Sequence, residues 1–297
     1  MSLTIRLVLY PIFALFCLII FSFLLFPFEA LTGRIQSEIG KTFGDKYDVA
    51  IEKVSPALFT GLVLKKVKLQ ERGKEKSVLL DRAKVKIGLF PLLWGTKSLT
   101  VDLRAGKGRV EGSVKLDQEL TRLDLEVDEW DVSLSRLFLP ETVPFVGSLN
   151  GEIILDLYSA DPLRNSGHIE LEVQELGLAE GAGAAGLALP ALNLAKQGGE
   201  NSRIDIDVVR GNWELKTLKL IGSDINFEAT GKVYAAKQVK NYRLNLQGNF
   251  VPQTGSEEKM PFLGLIEAQK QEGKFPFAIS GRLTKPSIRI GTFKLPI

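Results

Sequence analysis

Residues 99–117, LTVDLRAGKGRVEGSVKLD, contain the pattern that decides the fold of this chain. Apolar residues alternate with polar ones on both sides of the turn at Gly106-Lys107-Gly108. A period of two places successive side chains on opposite faces of a strand, so the stretch predicts an antiparallel β-hairpin. Because the glycines lie between two strands and precede no helix, we interpret them as a hairpin turn rather than a phosphate-binding loop.

The same scheme recurs in later stretches, each with a glycine between alternating apolar positions. These stretches are VGSLNGEIILDLY (146–158), INFEATGKVYAA (225–236), YRLNLQGNFVP (242–252) and FAISGRLTKPSIRI (277–290). A glycine in such a position predicts a strand that bends or that meets another backbone closely. Short strands at this spacing, without helices between them, predict a mainly β fold: a large antiparallel, curved sheet with few short helical turns.

Several stretches interrupt the alternation. The first strand is predicted to end in a turn at Ser55-Pro56, and Lys65-Lys66 are expected to form a bulge in the next strand. Residues 78–80 and 83–89 are interpreted as a pair of strands. Residues 90–95, FPLLWG, are expected to form one turn that plugs an end of the core, because the apolar run is too short for a helix.

Three further stretches break the strand pattern. Residues 135–146 contain two prolines and are expected to form a helical turn and a connection. Residues 177–199, rich in Gly and Ala, form either a flexible junction between two halves of the sheet or a loop whose leucines fold back onto the core. We prefer a loop followed by a strand. Residues 260–270 are expected to form one short helix.

The N-terminal part of the chain carries a different signal. Residues 7–28, LVLYPIFALFCLIIFSFLLFPF, contain no charged residue, and a helix of this length spans about 33 Å, enough for a hydrocarbon core of about 30 Å. A buried core helix is usually shorter and has a polar stripe, and a cleaved signal peptide has a shorter apolar run before small residues. We therefore predict an uncleaved transmembrane signal-anchor helix at 7–28.

The orientation of this helix follows from the size of the domain behind it. Arg6 precedes the span while Arg34 and Lys41 follow it, so the positive-inside rule does not decide the orientation. Long C-terminal domains translocate largely regardless of such charges, so we expect residues 1–6 in the cytoplasm. The chain is then a single-pass protein of the cell inner membrane, in contact with its lipids, with a periplasmic β-rich domain at 45–297 and an internal junction near 177–199 as one alternative.

An amphipathic helix is predicted at residues 29–44 between the anchor and the sheet. Leu31, Ile35, Ile39 and Phe43 recur every four residues, which places them along one face of a helix. This apolar stripe either lies on the bilayer surface or packs on the following domain. We favour packing on the domain, the commoner arrangement for such a stripe.

Composition and motifs give no indication of catalysis. The formal net charge of +3 is close to balanced and gives no argument for nucleic-acid binding, which needs a concentrated basic face. The only cysteine, Cys17, lies within the predicted span. His168 is the only histidine and has no Cys or second His to share a metal with, so we interpret it as a surface or strand-edge residue. The acidic run of Asp124, Glu126, Asp128, Glu129 and Asp131 includes carboxylates at i and i+2 that are able to bind a cation, but we interpret the run as a solvated outer face. No catalytic, cofactor-binding or metal-binding residue is therefore predicted.

The layout of the chain resembles a known family. The features that match are LLFPFEAL (24–31), VAIEKVSPALFTGLVLKKVKL (49–69), KIGLFPLLWG (86–95), LALPALNLAKQGGENSRIDI (187–206), SDINFEATGKVYA (223–235) and AISGRLTKPSIRI (278–290). In this order they are similar to the type II secretion system protein N of Gram-negative bacteria, particularly the form of delta-proteobacteria and spirochaetes, distantly related to AsmA-like envelope proteins.

The resemblance implies a non-enzymatic, inner-membrane component of a type II protein secretion system, a scaffold with a periplasmic β-rich domain. Its expected partners are other components of that system or the outer-membrane secretin. The AsmA-like relatives imply an alternative, because their sheets form an open groove with an apolar inner face that binds or transfers phospholipid. A closed β-sandwich, whose apolar face is simply core, is the third reading. An exposed apolar trough would favour the lipid-binding reading.

Overall fold

The fold consists of one large, curved antiparallel β-sheet with few helices. A computed structural model describes residues 32–42, 47–57, 61–73, 77–88, 97–137, 145–179, 191–196, 202–260 and 263–294, with the single positions Leu18, Phe21, Leu25 and Ala30. Its strands form a 16-stranded sheet. Each strand pairs with its sequence neighbour, except that β8 pairs with both the short β9 and β10.

The strands and helices have the following bounds. Strands β1–β8 span Tyr47–Ala57, Gly61–Glu71, Ser77–Ile87, Lys97–Ala105, Gly108–Leu116, Leu120–Asp131, Phe145–Tyr158 and Ser166–Leu178. Strands β9–β16 span Leu192–Asn193, Arg203–Val209, Asn212–Ile221, Ile225–Tyr234, Arg243–Pro252, Phe275–Arg282, Lys285–Ile290 and Phe293–Lys294. Helix α1 is Thr32–Thr42 and helix α2 is Leu263–Ile266. Short 3₁₀ helices lie at Val132–Leu137, Pro162–Arg164, Val239–Asn241, Glu257–Lys259 and Glu267–Gln269.

The predicted hairpin at the centre of the repeating pattern is confirmed. Ala105 of β4 pairs directly with Gly108 of β5, so Gly106 and Lys107 form a two-residue loop. Gly106 has a φ of 60°, a conformation that glycine adopts without steric cost. The predicted helix near the C-terminal end is also present, as α2 followed by the 3₁₀ helix Glu267–Gln269.

Two predicted strand boundaries are wrong. Ser55 and Pro56 belong to β1, where Pro56 pairs with Leu62, and this is tolerated because β1 is an edge strand whose outer N–H groups need no ladder partner. The predicted pair of strands at 78–80 and 83–89 is the single strand β3 as far as Ile87. Asp81 stays within this strand because its carboxylate accepts hydrogen bonds from Lys66 Nζ and the Gly106 backbone N–H.

At Lys66 the alternation of apolar residues along β2 shifts by one position, and the predicted bulge is absent. Lys66 has a φ of 52°, yet Lys65 and Val67 on either side keep their partners in β1, Lys53 and Ile51, without a register shift. The apolar face therefore changes phase without an extra residue. Register shifts occur instead in the central sheet, between Val127/Trp130, Val146/Ser148, Asp205/Ile206 and Leu215/Leu218.

The repeated glycines lie where the prediction places close backbones. Gly112 has a φ of 153°, and a Cβ at this position would lie 2.0 Å from the carbonyl oxygen of Asp124 on the next strand. Gly151 has a φ of 140°, and its Cβ would lie 2.1 Å from the carbonyl oxygen of Glu170. Glycine kinks and bulges of this kind curve an antiparallel sheet.

The buried core consists of separate clusters, two of them near the ends of the sheet and one around Val173 of β8 and Leu220 of β11, nearer its middle. One cluster, near the C-terminal end, includes Phe250, Met260, Leu263 and Phe275, and the stacked Phe250 and Phe275 rings have centroids 5.1 Å apart. A second cluster at the N-terminal end includes Ile51 and Val67 among its members. Among the described residues, strands β4–β7 contribute no buried residue to any core cluster.

The segment around β9 folds back onto this core. Leu192 is buried in the C-terminal cluster, and Leu194 packs against it. Asp224 holds β9 in place, because its carboxylate accepts a hydrogen bond of 2.8 Å from the Asn193 backbone N–H. The same carboxylate accepts a second hydrogen bond of 2.8 Å from Lys259 Nζ. Because β8 pairs with β10 as well as β9, the described sheet continues across the stretch that was interpreted as either a junction or a loop.

The predicted N-terminal elements are described only in part. Helix α1 lies within the predicted amphipathic helix, and its Ile35 packs against the cluster around Ile51. Of the predicted span, Leu18, Phe21 and Leu25 are helical, with exposed fractions of 66%, 60% and 79%. The rest of that span and the predicted turn at 90–95 lie outside the described residues. Among the described residues, no helix has the length and apolarity that crossing a membrane requires.

Candidate functional site

The first candidate surface is the apolar face of the sheet. One row of directly paired residues crosses it from β2 to β15, and every member is apolar or glycine. The apolar row consists of Leu62, Val85, Val101, Gly112, Leu125, Ile153, Ile169, Ile206, Leu215, Gly231, Leu246, Ile279 and Ile288.

Every member of the apolar row is half-buried rather than buried. In a closed core, such residues pack against a second layer at crystal-like density and lose nearly all contact with water. On β4–β7 the only buried apolar residues are Ala105, Val127 and Leu155. Among the described residues, the central strands therefore carry an apolar face that is only partly covered.

The second candidate surface is a row of carboxylates on the opposite face of the same strands. Residues directly paired from β4 to β10 are all acidic. This acidic row consists of Asp102, Glu111, Glu126, Glu152, Glu170 and Asp205. Directly opposed side chains on neighbouring strands have Cβ atoms about 4.5–5.5 Å apart, and like charges in such pairs destabilise the sheet.

Cations compensate the acidic row at its ends. At one end, Arg109 contacts both Asp102 and Glu111, and hydrogen bonding from Arg109 and Arg104 lowers the pKa of Asp102 although burial opposes that shift. Glu126 and Glu152 at the centre form no ion pair with any described residue. Asp124, Glu126 and Asp128 are exposed, as predicted for a solvated outer face.

The other end of the acidic row meets the only histidine. His168 on β8 is paired directly with Asp207 on β10, and its Nδ1 lies 2.8 Å from Asp207 Oδ1. The same nitrogen lies 3.9 Å from Asp205 Oδ1, and His168 Nε2 lies 3.8 Å from Glu170 Oε2. We call these residues the His168 cluster: His168, Glu170, Asp205 and Asp207.

The charges in this cluster stabilise one another. The hydrogen bond to Asp207 raises the pKa of His168, although burial opposes the shift, and Asp205 and Glu170 add to it. The pKa of Asp207 is lowered by the same hydrogen bond and by Lys216, whose Nζ lies 3.3 Å from Asp207 Oδ2. The arrangement therefore favours a positive charge between β8 and β10.

The sequence does not predict the His168 cluster. The sequence predicts a surface or strand-edge residue at His168, whereas the residue is half-buried near the start of β8 and pairs with both neighbouring strands. Its carboxylate neighbours, however, lie up to 39 residues further along the chain. The alternation of Asp205 and Asp207 with apolar residues was the available signal, but only the register of β8 against β10 brings these carboxylates to the imidazole.

Comparisons with known proteins identify no relative: no family model matches the chain, and neither a curated protein nor a solved structure matches it. The likeness to the secretion-system protein therefore rests on the quoted residues alone.

Proposed function

We propose that this chain is a non-enzymatic, AsmA-like envelope protein, anchored in the inner membrane, whose apolar sheet face binds the acyl chains of phospholipids in the periplasm. The observation that carries the proposal is the half-buried apolar row, whose members on β4–β7 (Val101, Gly112, Leu125 and Ile153) belong to none of the buried clusters. Burying a CH₂ group there contributes about 0.8 kcal/mol, so one acyl chain along the row gives a favourable interaction.

The topology of the strands supports one continuous curved sheet. The described strands follow one hydrogen-bonded path instead of forming two separate sheets. A Cβ at Gly112 or Gly231 would lie within 2.0 or 2.3 Å of a backbone carbonyl oxygen on the next strand, so these glycines let neighbouring strands approach closely and curve the sheet. The row therefore offers a continuous apolar surface of the kind that a lipid tail needs.

Photocrosslinking in living cells tests this proposal with the full chain. The photoreactive amino acid p-benzoylphenylalanine replaces Leu125, a member of the apolar row on β6, or Glu126, the next residue, which faces the opposite side. After irradiation, the purified chain is analysed by mass spectrometry for added phospholipid. We expect a phospholipid adduct at position 125 and none at position 126, because only the first faces the groove.

Two results would contradict lipid binding. Crosslinks from position 125 to the chain itself would indicate a closed core at this point. Equal lipid labelling at positions 125 and 126 would indicate non-specific contact with the bilayer.

The scaffold role in a type II secretion system is the second candidate. It is supported by the order of the matching stretches between residues 24 and 290, and by the acidic row, whose uncompensated centre suits a basic protein surface. The same experiment separates the two functions. Crosslinks from position 126 to another envelope protein, without lipid at position 125, would favour the scaffold and the secretion-system partners.

A further inference from the structure

The His168 cluster combines an imidazole with carboxylates from two neighbouring strands. One ligand atom each from His168, Asp205 and Asp207 can be chosen so that all lie within 4.8 Å of one another. Asp205 Oδ1 is buried and accepts no hydrogen bond from any described residue. A buried carboxylate oxygen without a donor is costly, so this atom is an independent sign that a positively charged group belongs there.

Two distances from the imidazole lie on either side of the ligand spacing of a metal site. A tetrahedral ion with ligands at about 2.0–2.2 Å places neighbouring ligand atoms about 3.4 Å apart. The distances from His168 Nδ1 to Asp207 Oδ1 and Asp205 Oδ1 are 2.8 and 3.9 Å, on either side of this value. Because all three side chains are half-buried, small rotations are enough to equalise the distances.

We propose that His168, Asp205 and Asp207 bind one divalent cation of the zinc type, with water completing its coordination. An imidazole nitrogen suits Zn²⁺, whereas Ca²⁺ requires six to eight oxygen ligands. Glu170 Oε2 lies 3.8 Å from His168 Nε2, the nitrogen that faces away from the ion, so this carboxylate orients the imidazole rather than binding the metal. The ion joins β8 to β10 and neutralises one end of the acidic row.

The ammonium group of Lys216 competes with this ion for Asp207. It lies 3.3 Å from Asp207 Oδ2 and 3.4 Å from Glu214 Oε2, and the Lys216 side chain is 48% exposed. A cation in the cluster is repelled by this charge. Removing the charge of Lys216 is therefore expected to tighten metal binding. If the cluster served only as an ion-pair network, the same change would instead remove a stabilising contact.

The test measures metal binding to the full chain in a mild detergent, purified with a tag that contains no histidine and stripped with a chelator. Zn²⁺ alone is titrated by calorimetry, and Co²⁺ alone is titrated by visible absorption, which reports a tetrahedral site. We expect one ion per chain for the wild type. His168→Ala is expected to abolish binding, Asp207→Asn to weaken it at least tenfold, and Lys216→Ala to tighten it several-fold.

Glu126→Gln is the matched control, because Glu126 belongs to the acidic row but lies outside the cluster. Its affinity for Zn²⁺ is expected to stay within about twofold of the wild type. Circular dichroism verifies the fold of each variant. The proposal is overturned if the folded wild type binds no Zn²⁺, if His168→Ala binds as tightly as the wild type, or if Glu126→Gln loses as much affinity as Asp207→Asn.

Discussion

Replacing Gly112 by alanine is the sharpest test of how the sheet is built. The backbone at Gly112 has a φ of 153°, a conformation that costs an L-residue about 1–3 kcal/mol. The added Cβ would also lie 2.0 Å from the carbonyl oxygen of Asp124, where ordinary contacts begin at 3.4 Å. Because the obstacle is backbone rather than a mobile side chain, β6 has to move away from β5.

The expected loss follows from both effects. If β6 shifts enough to lose about two ladder hydrogen bonds, each worth about 0.5–1.5 kcal/mol, the total with the strained backbone is about 2–6 kcal/mol. That is a large part of the stability of an ordinary domain, about 5–15 kcal/mol. Urea unfolding of the full chain in detergent, followed by circular dichroism and by the fluorescence of tryptophans such as Trp130 on β6, measures the change.

Gly264 in α2 provides the matched control, since a Cβ at this position meets no atom within 4 Å. Gly264→Ala is expected to leave stability unchanged or raise it by up to about 1 kcal/mol, because alanine has the higher helix propensity. The same chemical change is thus expected to have opposite effects at the two glycines. If Gly112→Ala unfolded at the same urea concentration as the wild type, the proposed close approach of β5 and β6 would be wrong.

Two further predictions concern charged residues. Asp224→Asn is expected to lower the free energy of unfolding by about 1.5–3 kcal/mol, because charged hydrogen bonds to Lys259 and the Asn193 backbone N–H are lost. Burial alone would raise the pKa of Asp224, but these hydrogen bonds lower it overall, so its stabilising effect is present above the unfolded pKa of about 3.9 and is lost as the pH falls through the folded pKa. The difference between wild type and variant in urea titrations should therefore shrink below about pH 4, and a constant difference would contradict this assignment. Glu152→Gln is expected to stabilise the chain by about 0.2–1 kcal/mol at low salt, because it removes repulsion within the acidic row. The gain should disappear near 1 M salt, where the Debye length is about 3 Å, and a gain independent of salt would count against repulsion as its cause.

Alternation along the chain predicts the type of fold because one face of each strand packs on apolar neighbours while the other faces water. It does not predict strand ends where a local signal competes with pairing. Ser55-Pro56 indicates a turn, but at a sheet edge a proline leaves no ladder partner unsatisfied, and β1 continues. Asp81 indicates a break, but the Lys66 ammonium and the Gly106 N–H, from β2 and the β4–β5 turn, bind its carboxylate and keep β3 intact.

The candidate sites depend on register, which periodicity along one strand does not contain. Shifting one strand by a single residue would move every side chain to the opposite face. The acidic row exists because Glu126 faces Glu152 and Glu152 faces Glu170 despite register shifts elsewhere in the same strand pairs. Such shifts arise from the pairing of two strands, which alternation along a single strand does not reveal. Local sequence patterns therefore do not predict which carboxylates lie around His168.

The two faces of the central strands depart from the requirements of stability in different ways. On one face, the apolar row stays half-buried, and its members on β4–β7 belong to no buried cluster, which forgoes part of the stabilisation that full burial provides. On the other face, neighbouring carboxylates such as Glu126 and Glu152 oppose one another directly, where a single substitution by a neutral residue would remove the repulsion. Natural proteins depart from such rules chiefly at functional sites. Since both departures coincide on the central strands from β4 to β10, we expect the ligands of this protein to bind there: apolar chains on one face and cations or basic groups on the other.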